Sequence, residues 1–409
     1  MIKEINLNIM LNYPVHWTKQ QVLRDIIQNF YDDAGIERFG KTFQYVYKEK
    51  EIMELSMKSK GFNYEWLVHI GASTKQEISG KFAGFYGEGF KIAALCALRD
   101  YHWGIRMRSQ NWSLQVTTRE SIIDGKKLSQ LVYEIDDNQT LSSETVLTID
   151  NFAEEDTILL NDTVKIFYYQ DNPLIGKLIF KNDYGAIYER SEIKKPENYP
   201  ASYDCGGEGI IFLCFQARGS LFAPIVICNH RFKTSDRERK QIYLGTIQDI
   251  ILDLTDSINP GAAFFLLEKL EKYWYDYPDK QDDVKSWYSV VRKLIRKMCQ
   301  DNTITAEFRK LYPALLVCEK PSNVRMRNRK HQALAWKNNN DPNARLVQDS
   351  FSLLGYKNLI DVCEEAGGFN VTRFPTDAEN KLLSILRETA MIVLEGFIPD
   401  YPPCYIIDN

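Results

Sequence analysis

Gly84-Phe85-Tyr86-Gly87-Glu88-Gly89-Phe90-Lys91 is the stretch that most restricts what this chain can become. Glycines in a G-x-x-G-x-G run allow backbone conformations closed to other residues. The run leads straight into the apolar segment Ile92-Ala93-Ala94-Leu95-Cys96-Ala97-Leu98, which predicts a turn entering a helix. At such an entrance the first backbone N–H groups have no helical partner and carry partial positive charge, so an anion such as a phosphate is well received. An ordinary turn before a helix uses the same residues, so the run gains meaning only from other elements in register with it.

Such an element lies upstream, in Leu23-Arg24-Asp25-Ile26-Ile27-Gln28-Asn29-Phe30-Tyr31-Asp32. Leu23, Ile26, Ile27, Phe30 and Ala34 recur at helical spacing and predict a buried stripe. Asp25, Asn29 and Asp32 recur at four and three, and so share another face of the same helix. Thr18 stands where an N-cap is expected. A carboxylate, an amide and a second carboxylate on one face suit a hydrated Mg²⁺, which prefers a few oxygen ligands together with phosphates, and a polarised water. A solvated polar face has the same composition, and the helix alone does not separate the two.

Together these segments resemble the GHKL superfamily of ATPases, which includes gyrase-type topoisomerases, ninety-kilodalton heat-shock chaperones, histidine kinases and MutL-type repair proteins. In that family an Asn within E-x-x-x-N coordinates magnesium, and Asn29 matches it. The general base sits four residues earlier, where this chain has Asp25, and Asp32 matches the acidic position after the Asn. Ile70-Gly71-Ala72-Ser73-Thr74-Lys75 resembles the opening of the family's ATP lid, which assigns Ser73, Thr74 and Lys75 to the nucleotide. Gly84, Gly87, Glu88, Gly89, Phe90 and Lys91 match the motif that closes it. Glu144-Thr145-Val146-Leu147-Thr148-Ile149 resembles the strand whose first Thr binds the adenine edge, so the resemblance gives Thr145 that part.

Departures from the pattern carry equal weight. The second motif of the family, Asp-x-Gly-x-Gly, falls on Met57-Lys58-Ser59-Lys60-Gly61, with Gly61 retained, Ser59 for the first Gly and Met57 for the Asp that accepts the adenine amino group. A thioether is a poor acceptor, and losing a charged acceptor from a buried pocket costs about 1.5–3 kcal/mol. Asp25 is one methylene shorter than the usual Glu, and a displacement of about 1 Å costs around a hundredfold in rate. Weak or slow nucleotide use is therefore expected.

At 409 residues the chain is too long for one ordinary domain, and a hydrophobic share of 44% is enough to build cores. The net charge of −4 offers no general attraction to nucleic acid or acidic membranes. Cys96, Cys205, Cys214, Cys228, Cys299, Cys318, Cys363 and Cys404 form no C-x-x-C pair and no metal spacing with the histidines, which suits a reducing compartment. No signal peptide and no bilayer-length apolar run is present, so a cytoplasmic protein without a membrane partner is expected.

After Asp150 short apolar runs (Val164–Tyr169, Lys177–Phe180, Gly209–Phe215, Pro224–Cys228) predict strands, and 241–256 a helix. Relatives in the family place a basic residue from such a following domain on the γ-phosphate, and Arg237 or Arg239 is the candidate; a charged turn would look the same. From Pro260 the pattern is helical over 262–274, 283–298, 306–311, 356–365 and 377–397. Lys320–His331 reads as a basic loop, able to track nucleic-acid phosphates or simply to be solvated. The expected class is α+β: a Bergerat-type α/β sandwich with helices on one face of a mixed sheet (1–153), a smaller transducer-like α/β domain (154–257) and a mainly helical region (258–409). The resemblance implies ATP and Mg²⁺ as ligands, slow ATP hydrolysis from Asp25, a homodimer around the nucleotide and an unidentified protein client. Two alternatives stay open: a nucleotide-sensing scaffold without turnover, and a nucleic-acid-associated ATPase of the repair or topoisomerase kind.

Overall fold

Helix α1 (Lys19–Ala34) follows the first strand, β1 (Ile2–Met10), and its start is set locally. The Thr18 hydroxyl accepts from the Gln21 N–H at 3.3 Å, and the Gln21 side chain accepts from the Thr18 N–H at 2.9 Å. This reciprocal cap satisfies two otherwise unpaired donors and is worth about 1 kcal/mol. Leu23, Ile26, Ile27, Phe30 and Ala34 are buried along one stripe, as their spacing predicts. The computed structural model describes residues 2–59, 61–69, 88–195, 203–204, 207–227, 244–276, 287–319, 324–369, 372–373, 381, 384–385 and 406–407.

Short helices α2 (Phe39–Thr42) and α3 (Glu65–Val68) and strands β2 (Phe43–Lys48) and β3 (Ile52–Lys58) precede α4 (Gly89–Tyr101). Then come β4 (Gly104–Ser109), β5 (Trp112–Ile123), β6 (Lys126–Asp136) and β7 (Glu144–Asp150). These strands form one seven-stranded sheet in the order β1-β6-β5-β4-β7-β3-β2. Every neighbouring pair in it is antiparallel. The expected mixed sheet is thus corrected: tight hairpins such as Ile123 to Lys126 and Lys48 to Ile52 join strands directly, and parallel neighbours would need long crossovers. Along β3, β4 and β7 alternate residues are buried, so one face is covered and the other meets solvent. The buried face packs with α1 and α4 into one apolar core. Only His102 and Trp103 separate α4 from β4, against which it packs, so the helix runs back along the strand. Its N-terminus therefore lies at the end of the sheet where β3 and β4 finish and β7 begins.

Helix α5 (Asp156–Lys165) comes next, and it replaces the strand expected at Val164–Tyr169. Val164 and Lys165 close the helix, and Phe167 keeps only an isolated bridge to Gln216. Burial of Ile166, Phe167, Tyr168 and Tyr169 in the shared core explains the apolar run without a ladder. Strands β8 (Ile175–Lys181), β9 (Gly185–Arg190), β10 (Tyr203–Asp204), β11 (Gly209–Leu213), β12 (Gln216–Leu221) and β13 (Ile225–Ile227) make a second sheet, order β10-β12-β11-β13-β9-β8. This one mixes parallel and antiparallel pairs. Its central strands β11, β12 and β13 are buried throughout. Tyr31 of α1 stacks near Phe167 (5.1 Å between centroids) and Phe215 (6.4 Å), and its hydroxyl donates to the Tyr168 carbonyl. α1 therefore belongs to both cores, and both sheets lie within one compact unit, Met1–Ile258 with Glu268–Asp283.

Helices α6 (Leu244–Leu254) and α7 (Pro260–Asp276) follow, then α8 (Tyr288–Met298), α9 (Asn302–Leu311), α10 (Val324–Asn340) and α11 (Leu359–Glu365). The second compact unit comprises Asn259–Leu267 and Val284–Asn409. Within it β14 (Leu315–Val317) pairs in parallel with β15 (Arg345–Val347), and Phe308, Phe351 and Tyr356 form an aromatic core. The basic segment expected as a loop is helical from Val324 onward: Arg, Lys, Gln and Ala favour helix, and buried Ala333 seats it on Leu359 and Cys363. Most of the helix expected over 377–397 lies outside the described residues. No helix among the described residues is long and apolar enough to cross a membrane.

Candidate functional site

Asp25 is only 7% exposed, so the polar face of α1 is not a solvated one. Arg24 donates to its Oδ2 from Nε at 3.0 Å and from Nη2 at 2.6 Å. Its other oxygen lies against Gly89, the first residue of α4. A Cβ at position 89 would sit inside van der Waals contact of Oδ1 and 3.3 Å from Cγ. The absence of a side chain at Gly89 is what lets the helix entrance close on the carboxylate. One turn along α1, Asn29 donates from Nδ2 to the Asp25 carbonyl at 3.3 Å, which leaves its amide oxygen directed elsewhere. Asp32, a further turn on, is half-buried.

Phe90 is buried with its ring edge-on to Tyr133, at 6.3 Å and 62°. Lys91 is 1% exposed, and its Nζ donates to the His69 carbonyl at 2.9 Å. Burial pushes the Lys91 ammonium down to about 8, opposed by the nearby Glu88 carboxylate. A buried cation beside a helix N-terminus is favourable only where negative charge comes to meet it.

At the same end of the sheet, Met57 of β3 lies directly across from Thr145 of β7. Thr145 and Ser109 are both buried, with their hydroxyl oxygens 2.8 Å apart. Thr145 also meets the Ser59 hydroxyl at 3.0 Å, and Ser59 Oγ accepts from the Gly61 N–H at 3.0 Å. Gly61 has φ +69°, and a Cβ there would reach within 2.5 Å of Gln110 Cγ and 2.6 Å of Ser109 Oγ. The retained glycine of the degenerate motif is thus required by backbone and by space. The structure brings Asp25, Asn29, Gly89 and Lys91 to one end of the first sheet, and the hydroxyl row Ser59–Thr145–Ser109 to that same end.

A polar stripe that the sequence reading passed over lies on β12. Gln216, Arg218 and Ser220 alternate along a strand that is otherwise apolar, and all three are buried. Arg218 donates from Nη2 to Gln216 Oε1 at 3.3 Å, and Gln216 donates from Nε2 to Gln28 Oε1 of α1 at 2.8 Å. Lys195 joins the stripe from outside, donating to Ser220 Oγ at 2.5 Å and to the Gly207 carbonyl at 3.0 Å. The period-two pattern Gln216-x-Arg218-x-Ser220 was the available signal.

Ser73, Thr74, Lys75, Gly84, Gly87, Arg237 and Arg239 lie outside the described residues. Among the described residues no group of three or more His, Cys, Asp or Glu gathers as a metal site. A cation held by few protein oxygens and by phosphates, as magnesium is, fits the Asn29 amide oxygen. In α10, Arg329 is paired with Glu364 at 2.6 Å and lies over the Phe369 ring at 4.7 Å, while Arg327 is exposed. No family model matches the chain, and no curated protein matches it.

Proposed function

We propose that this chain is a GHKL-like protein that binds Mg·ATP in a Bergerat-type site between α1 and the N-terminus of α4. Nucleotide binding then acts as a conformational or dimerisation switch, with slow turnover. The observation that carries the reading is the closure of Gly89 on the Asp25 carboxylate, with Asn29 one turn away. Two motifs far apart in sequence thereby meet at a helix entrance suited to phosphate. Asn29 would hold the metal through its amide oxygen, and Lys91 with the first N–H groups of α4 would face the phosphates. Bound magnesium neutralises phosphate charge. Asp25 would orient and deprotonate the attacking water. Arg218 is linked to α1 through Gln216 and Gln28, and we assign to it the phosphate-reading part first expected of Arg237 or Arg239.

One observation favours the scaffold reading as well. Asp25 has Oδ2 tied to Arg24 and Oδ1 packed on Gly89, so a water must compete for a carboxylate already engaged. Binding with little or no hydrolysis follows if that pair persists. Calorimetric titration of ATP and a non-hydrolysable analogue with Mg²⁺, on wild type and Asn29→Ala, tests the site. Asn29→Ala is expected to weaken binding by about tenfold or more, as loss of a hydrogen-bonding ligand to a charge implies. Phosphate release then separates switch from scaffold. Absence of binding at millimolar nucleotide would overturn both.

A further inference from the structure

We infer that the base end of this site does not distinguish an amino from an oxo group at the purine six-position, so that GTP binds about as well as ATP. The inference rests on the nucleotide-site reading above and concerns the row Ser59–Thr145–Ser109. Ser109 and Thr145 are 0% and 2% exposed, whereas Ser59 is half-buried, so Ser59 is the end of the row that a ligand meets. Each hydroxyl supplies one proton and two lone pairs. The row contains three hydroxyl protons, and its two internal contacts, Ser59 to Thr145 and Thr145 to Ser109, use two of them. One proton is left over, and rotation of the hydroxyls moves it from one end of the row to the other.

With the chain running from Ser109 towards Ser59, the Ser59 hydroxyl points its proton outward and meets an oxo group. With the chain reversed, Ser59 donates to Thr145, still accepts from the Gly61 N–H, and keeps a lone pair for an amino group. The same oxygen serves either purine without an unpaired buried group in either case. A carboxylate here would be an acceptor only and would reject the oxo purine. Across from Thr145 stands the Met57 thioether, which imposes no charge on the choice. Lys58 and Glu144 alternate to the opposite face of the sheet.

The experiment is a pair of calorimetric titrations, Mg·ATP and Mg·GTP, on the full chain and on Ser59→Asp, with circular dichroism melts to verify folding. Position 59 tolerates an Asp because its side chain can accept from the Gly61 N–H as an Asx turn does. Wild type is expected to bind the two nucleotides within about threefold, and Ser59→Asp to favour ATP by about tenfold or more. Wild-type preference for ATP beyond tenfold overturns the inference and leaves the nucleotide site standing. Equal binding by a folded Ser59→Asp protein also overturns it, since the base is then not read at this row. Binding of neither nucleotide by wild type removes the underlying reading and the inference with it.

Discussion

Gly89→Ala tests the junction of α1 and α4 without reference to any ligand. The new Cβ would meet Asp25 Oδ1 and lie 3.3 Å from its Cγ. Asp25 cannot swing away freely, because it is buried and Arg24 holds its other oxygen. Overpacking of this kind costs about 1–3 kcal/mol. Against it stands the helix preference for Ala over Gly, at most about 1 kcal/mol, so a net loss of roughly 1–2 kcal/mol is expected. In an Asp25→Ala background the obstructing carboxylate is gone, and Gly89→Ala should be neutral or stabilising by about 0.5 kcal/mol. The cycle therefore predicts a coupling of about 2 kcal/mol, well above the scatter for independent sites. Urea denaturation of the four proteins measures it. Equal costs in both backgrounds would refute the contact, and with it the observation on which the nucleotide reading depends.

Lys91→Met should stabilise the protein at pH 7 by about 1–3 kcal/mol, since it removes a buried charge. The folded-state pKa is lowered to about 8 from 10.5, so the unfolded chain holds more protons between those values. Wild-type stability therefore rises as pH passes from about 8 to about 10.5, and the advantage of Lys91→Met should shrink over that range; an advantage independent of pH would contradict the burial argument. Nucleotide binding should weaken in the same variant. Gly61→Ala forces a left-handed backbone on Ala and crowds Ser109, with an expected cost of about 2–3 kcal/mol in thermal or urea unfolding; a loss below about 0.5 kcal/mol would count against this geometry. Gln28→Leu and Gln216→Leu should each cost about 1–3 kcal/mol by stranding a buried amide, while the double variant costs less than their sum. Strict additivity would mean that the α1–β12 link contributes nothing.

Elements whose signal is local were legible in the sequence. The apolar stripe of α1, its Thr18 cap and the glycine entrance to α4 follow from spacing over a few residues, and each is present. The burial of Asp25 was not legible, because it depends on Gly89, which chain folding brings against it. Val164–Tyr169 has the apolar, β-branched look of a strand, yet its burial comes from packing on Tyr31 and Phe39, which propensity cannot sense. The basic run before His331 looked like a loop until Ala333 and its seat on α11 made a helix of it. The Gln216, Arg218 and Ser220 stripe carries the period of a strand, but its link to α1 through Gln28 is a long-range fact. The sequence by itself determined which residues share a face, since helix and strand periods are properties of a few consecutive bonds. Only the tertiary structure decided what each face meets, because burial and the pairing of polar groups depend on segments that the chain brings together from a distance.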